Sequence, residues 1–321
     1  MFKKIIALCL TALFLSHAVI TQADDVMGTG GYVVTVDVPT YNNGAGPRIL
    51  VDEGHNNYQT IADRFKGFAD LMIADGASVN SLRVPISAKA LADVDILVIC
   101  NALNAKNAQE MATIGKWRLP APNAFTDEEV KAISAWVRSG GSLLLIADHM
   151  PFPAAVENLG NAFGVVMQDN FAFAADFTYK PGDMNLIKFQ QPPSQPNGDK
   201  LLEGVNMPYV VTFTGSAFRM KPGVAYVPIL ELGEGTKVAW PSDHAEISET
   251  TPFSAGVGLL QGVVLPVDSG KAAIFGEASL FSVNYATWWK NYPLGFQNPD
   301  APYNKRFILD VMHWLAQPRY K

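Results

Sequence analysis

Acidic and histidine side chains directly follow apolar runs at three places in the sequence. The runs are ILV (49–51), SLLLIA (142–147) and AAIFG (272–276), and each is typical of a buried strand that ends in polar residues. Carboxyl and imidazole groups are common general acids and bases in enzymes. The candidate catalytic side chains are Glu53, His55, Asp148, His149 and Glu277.

Three of these residues could instead be metal ligands, namely His55, Asp148 and His149. Catalytic zinc takes three His or carboxylate ligands from the protein and keeps one position open to water. The ligands would come from separate strands, and no local spacing such as HExxH supports a metal site. A divalent metal such as zinc is therefore one interpretation, and metal-free acid and base chemistry is another. The third is structural, with Asp148 capping the next helix and His149 hydrogen-bonded beside it.

Alternating strand and helix patterns determine where these residues lie. Between residues 48 and 166, four short segments with strand patterns alternate with segments of helical periodicity, and the clearest helix is 125–141 with Thr126 as its N-cap. This alternation predicts an α/β fold with a doubly wound, mostly parallel sheet. Parallel strands end at the same edge of a sheet, where ligands bind, so the candidate residues should converge there.

The remaining segments differ from this pattern. Residues 1–23, with two lysines before a short apolar run, are typical of a secretory signal peptide, so we expect an exported protein, either periplasmic or extracellular. Residues 24–47 should form an N-terminal strand, at 31–38, and a linker. Residues 48–321 should form one domain, interrupted by a β-rich insertion at about 168–262.

The composition argues against two classes of partner. Without its signal peptide the chain has a net charge near −8 and no cluster of lysine or arginine, which does not favour nucleic acid or anionic lipid. There is no later apolar run of about 18 residues, so we expect no membrane insertion after signal cleavage. The mature chain keeps one cysteine, Cys100, which follows an aliphatic run and should be a buried, unreactive thiol.

The order of the segments resembles a known superfamily. The matching pieces are, in order, ILVDEGHNNY, ADVDILVICNAL, FTDEEVKAISAWVRSGGSLLLIADHMPF, ENLGNAFGV, GKAAIFGEASLFS and NKRFILDVMHWLA. They are similar to the class I glutamine amidotransferase-like superfamily, and most similar to its divergent branch in gliding-motility, intraflagellar-transport and exported bacterial proteins. The resemblance covers most of residues 48–166 and 270–317 and implies a flavodoxin-like sheet.

The residues that carry amidotransferase chemistry in that family differ here. In the family, the strand after the Gly-Gly turn ends in a cysteine nucleophile, and a later strand supplies the histidine that activates it. Here the matching turn carries Asp148, and the later strand ends in Glu277. Without the Cys and His pair a thiolate attack cannot be activated, so the resemblance implies no glutaminase activity.

Two functions from different classes remain. In the first, the five ionisable residues form an acid/base or metal-assisted centre that hydrolyses a small envelope or nutrient molecule, such as a glycan or peptide fragment. In the second, which the resemblance to the divergent branch implies, the domain is a non-enzymatic ligand-binding or scaffolding module. The density of ionisable groups favours the first. Aromatic residues of the insertion could cover the crevice above a sugar, or they could be ordinary core; they are Phe171, Phe173, Phe177, Tyr179 and Trp240.

Overall fold

The computed structural model describes most of the chain. The described residues are 26–27, 31–176, 185–190, 208–243, 247–248, 250–287 and 291–317. The predicted signal peptide and the aromatic residues Phe177 and Tyr179 lie outside them.

Strands and helices alternate through the first half of the described chain, and strands predominate in the second. The strands are β1 (Val26–Met27), β2 (Arg48–Asp52), β3 (Ser78–Leu82), β4 (Ile96–Cys100), β5 (Ser142–Ile146), β6 (Val165–Val166), β7 (Phe171–Phe173), β8 (Ile187–Gln190), β9 (Tyr209–Thr212), β10 (Arg219–Met220), β11 (Val227–Glu231), β12 (Lys237–Ala239), β13 (Phe253–Ala255), β14 (Leu260–Val267), β15 (Gly270–Phe275), β16 (Val283–Ala286) and β17 (Tyr292–Gly295). The helices are α1 (Lys66–Ala74), α2 (Ala105–Ile114), α3 (Asp127–Arg138), α4 (Phe152–Ala155), α5 (Glu157–Ala162) and α6 (Asn304–Ala316), with a short 3₁₀ helix at Ser279–Phe281.

Seven strands form the main sheet, in the order β11-β14-β15-β5-β4-β2-β3. The strands from β15 to β3 all run parallel, whereas β14 pairs antiparallel with both β15 and β11. The parallel part, β3-β2-β4-β5-β15, has the strand order 2-1-3-4-5 of flavodoxin-like folds. The prediction of a doubly wound, mostly parallel α/β sheet is confirmed.

Helices cover both faces of this sheet. In β4, Ile96, Val98 and Cys100 belong to a core cluster with residues of α1 and α6. Leu97 and Ile99 belong to a second cluster with residues of α3 and α5. All five side chains are buried. The strand is apolar throughout because a parallel sheet with helices on both sides needs apolar residues on both faces.

The helix α3 begins as its sequence predicts. Thr126 is the N-cap, and its hydroxyl accepts a hydrogen bond from the backbone N–H of Glu129 at 3.3 Å. The Glu129 carboxylate in turn accepts a hydrogen bond from the backbone N–H of Thr126 at 3.0 Å, which completes a capping box. This exchange fixes the Glu129 carboxylate beside the end of the sheet.

The segment predicted as an insertion is only partly separate from the main sheet. Its strand β11, and the strand β14 that begins at its end, extend the main sheet. The strand β7 pairs with β12, which pairs with β13, in a three-stranded antiparallel sheet, and β8 pairs with β9. β-rich structure is therefore present in this region.

The strand predicted at residues 31–38 does not form, because these residues lie beside a helix. They contain no strand, although all of them are described. The ammonium of Lys305, in α6, donates to the backbone carbonyl of Thr35 at 3.1 Å, and Val34 and Val36 pack partly buried on the core. A helix has no free backbone N–H and C=O groups to pair with a strand. Residues 31–38 therefore pack alternate side chains against the core without forming strand hydrogen bonds.

Candidate functional site

The predicted site residues follow the carboxyl-terminal ends of parallel strands. These strands, β2, β4, β5 and β15, end at one edge of the sheet, and the strand order reverses at β2, which lies between β3 and β4. Ligands of doubly wound sheets bind at such an edge. The edge carries Glu53, His55, Asp148, His149 and Glu277. The structure divides these residues into separate groups.

The first group is a buried His55 triad, composed of Asp52, His55 and Glu129. Nδ1 of His55 lies 2.8 Å from Oδ1 of Asp52, and Nε2 lies 2.9 Å from Oε1 of Glu129. Carboxylates only accept hydrogen bonds, so both ring nitrogens donate and the imidazole is protonated. Burial disfavours this charge, but the two carboxylates outweigh it and raise the pKa of His55. His55 therefore has no free nitrogen for a substrate or a metal.

The His55 triad joins the loop after β2 to the start of α3. Oε1 of Glu129 also accepts a hydrogen bond from the backbone N–H of Ile86 at 2.9 Å. Burial opposes ionisation of Glu129, but the hydrogen bonds from Thr126 and Ile86 and the charge of His55 outweigh it and lower its pKa. The ring of Phe125 lies 4.3 Å from the His55 ring, centroid to centroid. These contacts give His55 a structural role.

Glu53 is also engaged in the structure of this loop. Its Oε1 accepts a hydrogen bond from the backbone N–H of Ile61 at 2.8 Å, and its Oε2 lies 3.0 Å from the guanidinium of Arg83. The Glu53 side chain is only 2% exposed, whereas Arg83 is 69% exposed. Glu53 thus ties the loop to the end of β3, and the structure shows no contact between it and the other predicted site residues.

The end of β4 connects the His55 triad to the second group. The Asn57 amide donates to Oδ2 of Asp52 and to the Cys100 carbonyl, at 3.1 Å in each case. Asn101, which has a φ of +46°, accepts a hydrogen bond from the backbone N–H of Asp148 at 2.8 Å. Asparagine tolerates this left-handed conformation better than most residues. A continuous polar network therefore runs along the sheet edge.

The second group is a buried carboxyl pair, Asp148 and Glu277, which are 8% and 1% exposed. Both Glu277 oxygens accept backbone hydrogen bonds at 2.7 Å, from Ser279 and Leu280, so Glu277 caps the 3₁₀ helix. Burial raises the pKa of Glu277 to about 8, and the charge of Asp148 adds to this rise. Burial also raises the pKa of Asp148, although the neighbouring His149 opposes that shift. Glu277 therefore keeps its proton at neutral pH.

A turn from the insertion covers this pair. The backbone N–H of Ser216 donates to the Gly276 carbonyl at 2.6 Å, and its hydroxyl donates to the Ala147 carbonyl at 3.0 Å. Gly215 adopts a φ of +75°, and a Cβ at this position would meet the Gly276 carbonyl and the Glu277 side chain. Glycine is required here because the turn approaches the pair too closely for any side chain.

Cys100 lies at the end of β4 with its side chain fully buried and unoxidised. Burial raises the pKa of its thiol well above the usual range, and the charges of Asp148 and Glu277 add to the rise. The thiol therefore stays protonated at physiological pH, and a thiolate is the nucleophilic form. The predicted burial of Cys100 is confirmed.

His149 differs from the other predicted residues because one of its ring nitrogens has no partner in the described structure. Nδ1 lies 2.8 Å from the Met150 carbonyl, which only accepts, so Nδ1 donates. In the neutral ring Nε2 is then an acceptor, and it has no partner among the described residues. The half-buried His149 ring stacks on Phe171 at 4.6 Å between centroids, with Phe152 at 6.1 Å. The ring is thus held in one orientation at the sheet edge.

Two acidic residues beside these groups, Glu129 and Asp169, lie outside the strand ends that the sequence identifies. The pattern T-x-x-E identifies Glu129 as a capping residue, but gives no sign that its second oxygen meets His55 from 74 positions away. Asp169 accepts a hydrogen bond from the backbone N–H of Ala154 at 3.0 Å. Burial raises the pKa of Asp169 to about 6, although that hydrogen bond and His149 oppose the rise. No local pattern marks Asp169, because its surroundings come from distant segments.

The metal site predicted from His55, Asp148 and His149 is not formed. Both ring nitrogens of His55 and Nδ1 of His149 already have partners. Within the described residues, which include these three, no group of three His, Cys, Asp or Glu side chains is arranged to hold a metal ion. The donor set therefore does not fit zinc, which needs three convergent ligands.

The aromatic residues of the insertion are mostly core. Phe171 and Phe173 are 2% and 3% exposed, and they form a small cluster with Met150 and Ala239. Trp240 is half-buried and donates through Nε1 to the Ser254 hydroxyl at 2.9 Å. Phe171 is the aromatic residue of this cluster that stacks on His149, so the insertion forms one wall beside this histidine.

Solved structures share this architecture. The N-terminal domain of mmIFT52 superposes with a TM-score of 0.56 at 14% sequence identity, over 84% of this chain and 97% of that domain. The chain has the fold of that domain. Two further similar structures are a ThuA-like protein from Bacteroides uniformis (TM-score 0.45, 10% identity, 90% and 96% of the two chains) and a GMP synthase component from Thermoplasma acidophilum (0.43, 9%, 85% and 96%). At 14% identity the similarity to the mmIFT52 domain establishes fold alone.

Sequence comparison adds no family assignment. No family model matches the chain, and no curated protein matches it. In the described part of the chain, no helix is long and apolar enough to cross a membrane.

Proposed function

We propose that this protein is a ligand-binding module of the cell envelope, which holds a small glycan or peptide fragment at the sheet edge without converting it. The observation that carries this proposal is the distribution of hydrogen bonds among the predicted acid/base groups. His55, Glu53 and Glu277 are engaged by neighbouring protein groups, whereas Nε2 of His149 has no partner among the residues that the structure describes. Groups whose hydrogen bonds already hold neighbouring segments of the protein in place are not free to exchange protons with a substrate.

The chemistry of His149 indicates the kind of ligand. In the neutral imidazole, Nε2 accepts hydrogen bonds beside the Phe171 ring, so it suits a ligand hydroxyl or amide N–H next to an apolar surface. Sugars and peptides both offer such donors. Nearby, the half-buried Asp169 can accept a second hydrogen bond in its ionised form. This arrangement supports recognition of a polar fragment that donates hydrogen bonds.

Export of the protein is part of the proposal. The first 23 residues have the basic start, short apolar run and small residue that a signal peptidase recognises. An envelope location would bring the sheet edge into contact with glycan and peptide fragments. We also propose that glutaminase activity is absent, because Asp148 and Glu277 occupy the positions where the amidotransferase resemblance expects a cysteine and a histidine.

Hydrolysis is the second candidate function, and one observation favours it. Glu277 has a pKa raised to about 8. It is paired with Asp148, whose pKa is also raised and which lies next to His149. Buried carboxyl pairs that share a proton can supply both an acid and a base. Against this candidate, Glu277 is 1% exposed and covered by the Ser216 turn. A substrate would have to displace that turn to reach it.

The test of the binding proposal is titration of a muropeptide, a disaccharide linked to a short peptide, into the mature protein in a calorimeter. Wild type should bind it, and His149→Ala should bind at least tenfold more weakly. His313→Ala is the matched control, because that histidine lies in α6 and contacts Asp75 and Thr40. It should bind like wild type once its folding has been verified by circular dichroism. Equal affinity of wild type and His149→Ala would overturn the proposed site.

A further inference from the structure

A surface segment beside His149 forms a unit of its own. It consists of α2 and the turns that follow it, residues 104–123, and is here called the flap. Its two ends meet, because the Asn104 amide donates to the Asn123 carbonyl at 2.7 Å. The flap therefore leaves the sheet after β4 and returns to the body at one place. Compact surface loops whose ends lie close together are frequently functional.

Hydrogen bonds inside the flap fix its shape. The Asn104 side chain accepts from the backbone N–H of Lys106 at 3.0 Å and caps α2. Asn107 is the one buried residue of α2, and its side chain accepts from the backbone N–H of Arg118 at 2.8 Å. The same side chain donates to the Arg118 carbonyl at 3.2 Å. These bonds hold the helix to the turn that follows it, so the flap can move as one body.

The flap packs on the rest of the protein through an aromatic contact. Trp117 is 9% exposed, and its ring centroid lies 5.5 Å from that of Tyr58 and 6.2 Å from that of Phe152. The helix itself buries little apolar surface, and Ile114 near its end is 65% exposed. A segment with little buried apolar surface opens at a lower free energy than the core elements do.

The flap contacts the surroundings of His149 on two sides. The His149 ring stacks on Phe171 and lies 6.1 Å from Phe152, centroid to centroid. Trp117 contacts Phe152, and Leu119 packs against the small cluster that contains Phe171. The flap therefore touches both aromatic groups beside the histidine, and its movement would change access to them.

We propose that the flap is a lid, which opens to admit the ligand to His149 and closes on the bound ligand. Opening separates Trp117 from Phe152 and Leu119 from its cluster, whereas the hydrogen bonds within the flap persist. Closure excludes water from the hydrogen bond between the ligand and Nε2 of His149. This inference rests on the proposed function, because it assigns a moving part to the same site.

The first test is hydrogen exchange of the free mature protein, followed by mass spectrometry. The helix α3, of 12 residues, is the reference for α2, of 10 residues. After correction for intrinsic rates, α2 amides should exchange at least tenfold faster than α3 amides, and Trp117→Ala should accelerate exchange in α2 more than in α3. Ile114→Ala is the control and should behave like wild type. Equal exchange of the two helices in wild type would overturn the lid, whatever binds at His149.

The second test repeats the exchange measurement with saturating muropeptide. Closure should slow exchange in α2 of the wild type at least fivefold, with no comparable change in α3, and His149→Ala should lose this protection. Trp117→Ala should bind the muropeptide at least fivefold more weakly, and Ile114→Ala should bind it like wild type. Binding by wild type with unchanged exchange in α2 would overturn the lid and leave the proposed site intact. No binding by wild type in the calorimeter would instead overturn the proposed function, and the lid with it.

Discussion

At the scale of the residue, two histidines of similar sequence context have opposite roles. His55 and His149 each follow a buried strand and an acid, and the sequence suggests the same chemistry for both. His55 is protonated between two buried carboxylates, whereas Nε2 of His149 lies beside Phe171 with no partner in the described part of the chain. The difference comes from Glu129, which reaches His55 from α3, and from the Met150 carbonyl, which orients His149.

Replacement of His55 should destabilise the protein strongly. His55→Ala leaves the Asp52 and Glu129 carboxylates buried without their shared cation, so we expect a loss of about 3–5 kcal/mol in the free energy of unfolding, measured with urea. His149→Ala is the matched control and should cost about 1 kcal/mol, because it removes one hydrogen bond and a stacking contact. Similar losses in the two variants would contradict the structural role of His55.

Glu277 should make stability fall as pH rises. Its folded pKa of about 8 exceeds the ordinary value of 4.5, so the folded state binds more protons between these values and loses stability as pH increases through them. The raised pKa of His55 acts in the same direction above pH 6.5. In Glu277→Gln the loss between pH 5 and pH 8.5 should be smaller by about 2 kcal/mol or more.

The measurement is urea unfolding at a series of pH values, with Glu128→Gln as the control. Glu128 is exposed in the first turn of α3, and its replacement should leave the pH dependence unchanged. A Glu277→Gln variant with the wild-type pH dependence would show that Glu277 ionises normally in the folded protein.

At the scale of the element, the sequence predicts the strands and helices better than their contacts. The apolar runs identify β2, β4, β5 and β15, and the T-x-x-E pattern identifies the start of α3, because these signals are local. The helix α2 is absent from the prediction. The prediction of a strand at residues 31–38 is wrong. An alternating pattern shows that one side of the segment is buried, but it does not show whether that side packs against a strand or against a helix such as α6.

The capping box of α3 stabilises the start of the helix and also positions Glu129, a member of the His55 triad. Thr126→Ala removes the side chain that caps the helix and helps to orient the Glu129 carboxylate, so we expect a loss of about 1 kcal/mol. The control is Thr113→Ala near the end of α2, where the exposed threonine makes no cap and the change should be within about 0.5 kcal/mol. Thermal unfolding of both variants checks this. No difference between them would show that the capping box contributes nothing.

At the scale of the whole molecule, the doubly wound sheet brings the predicted polar residues to one edge. The sheet edge gathers the residues that the sequence predicts, because parallel strands all end there. The sequence could not predict that neighbouring segments already bind or cover most of these groups. For example, the Ser216 turn covers Glu277, and Arg83 contacts Glu53. Such contacts join residues far apart in sequence, and no local pattern encodes them.

The proposed export leads to a prediction about the N-terminus of the mature chain. Expression of the full sequence in a bacterium with an intact secretion pathway should yield a periplasmic or secreted protein whose N-terminus is near Asp24. Mass spectrometry of the purified protein checks this. A variant with Lys3 and Lys4 replaced by Glu should accumulate in the cytoplasm with residues 1–23 attached. Retention of these residues in the wild-type protein would contradict cleavage.

The central claim is that the sheet edge binds a ligand without converting it. The most direct measurement is mass spectrometry of the muropeptide after prolonged incubation with a stoichiometric amount of the mature protein, beside Asp148→Asn and Glu277→Gln. The account predicts that the muropeptide is recovered intact from the wild-type complex, at pH values on both sides of 8. Cleavage by wild type that both variants abolish would contradict it and establish the carboxyl pair as a hydrolytic centre.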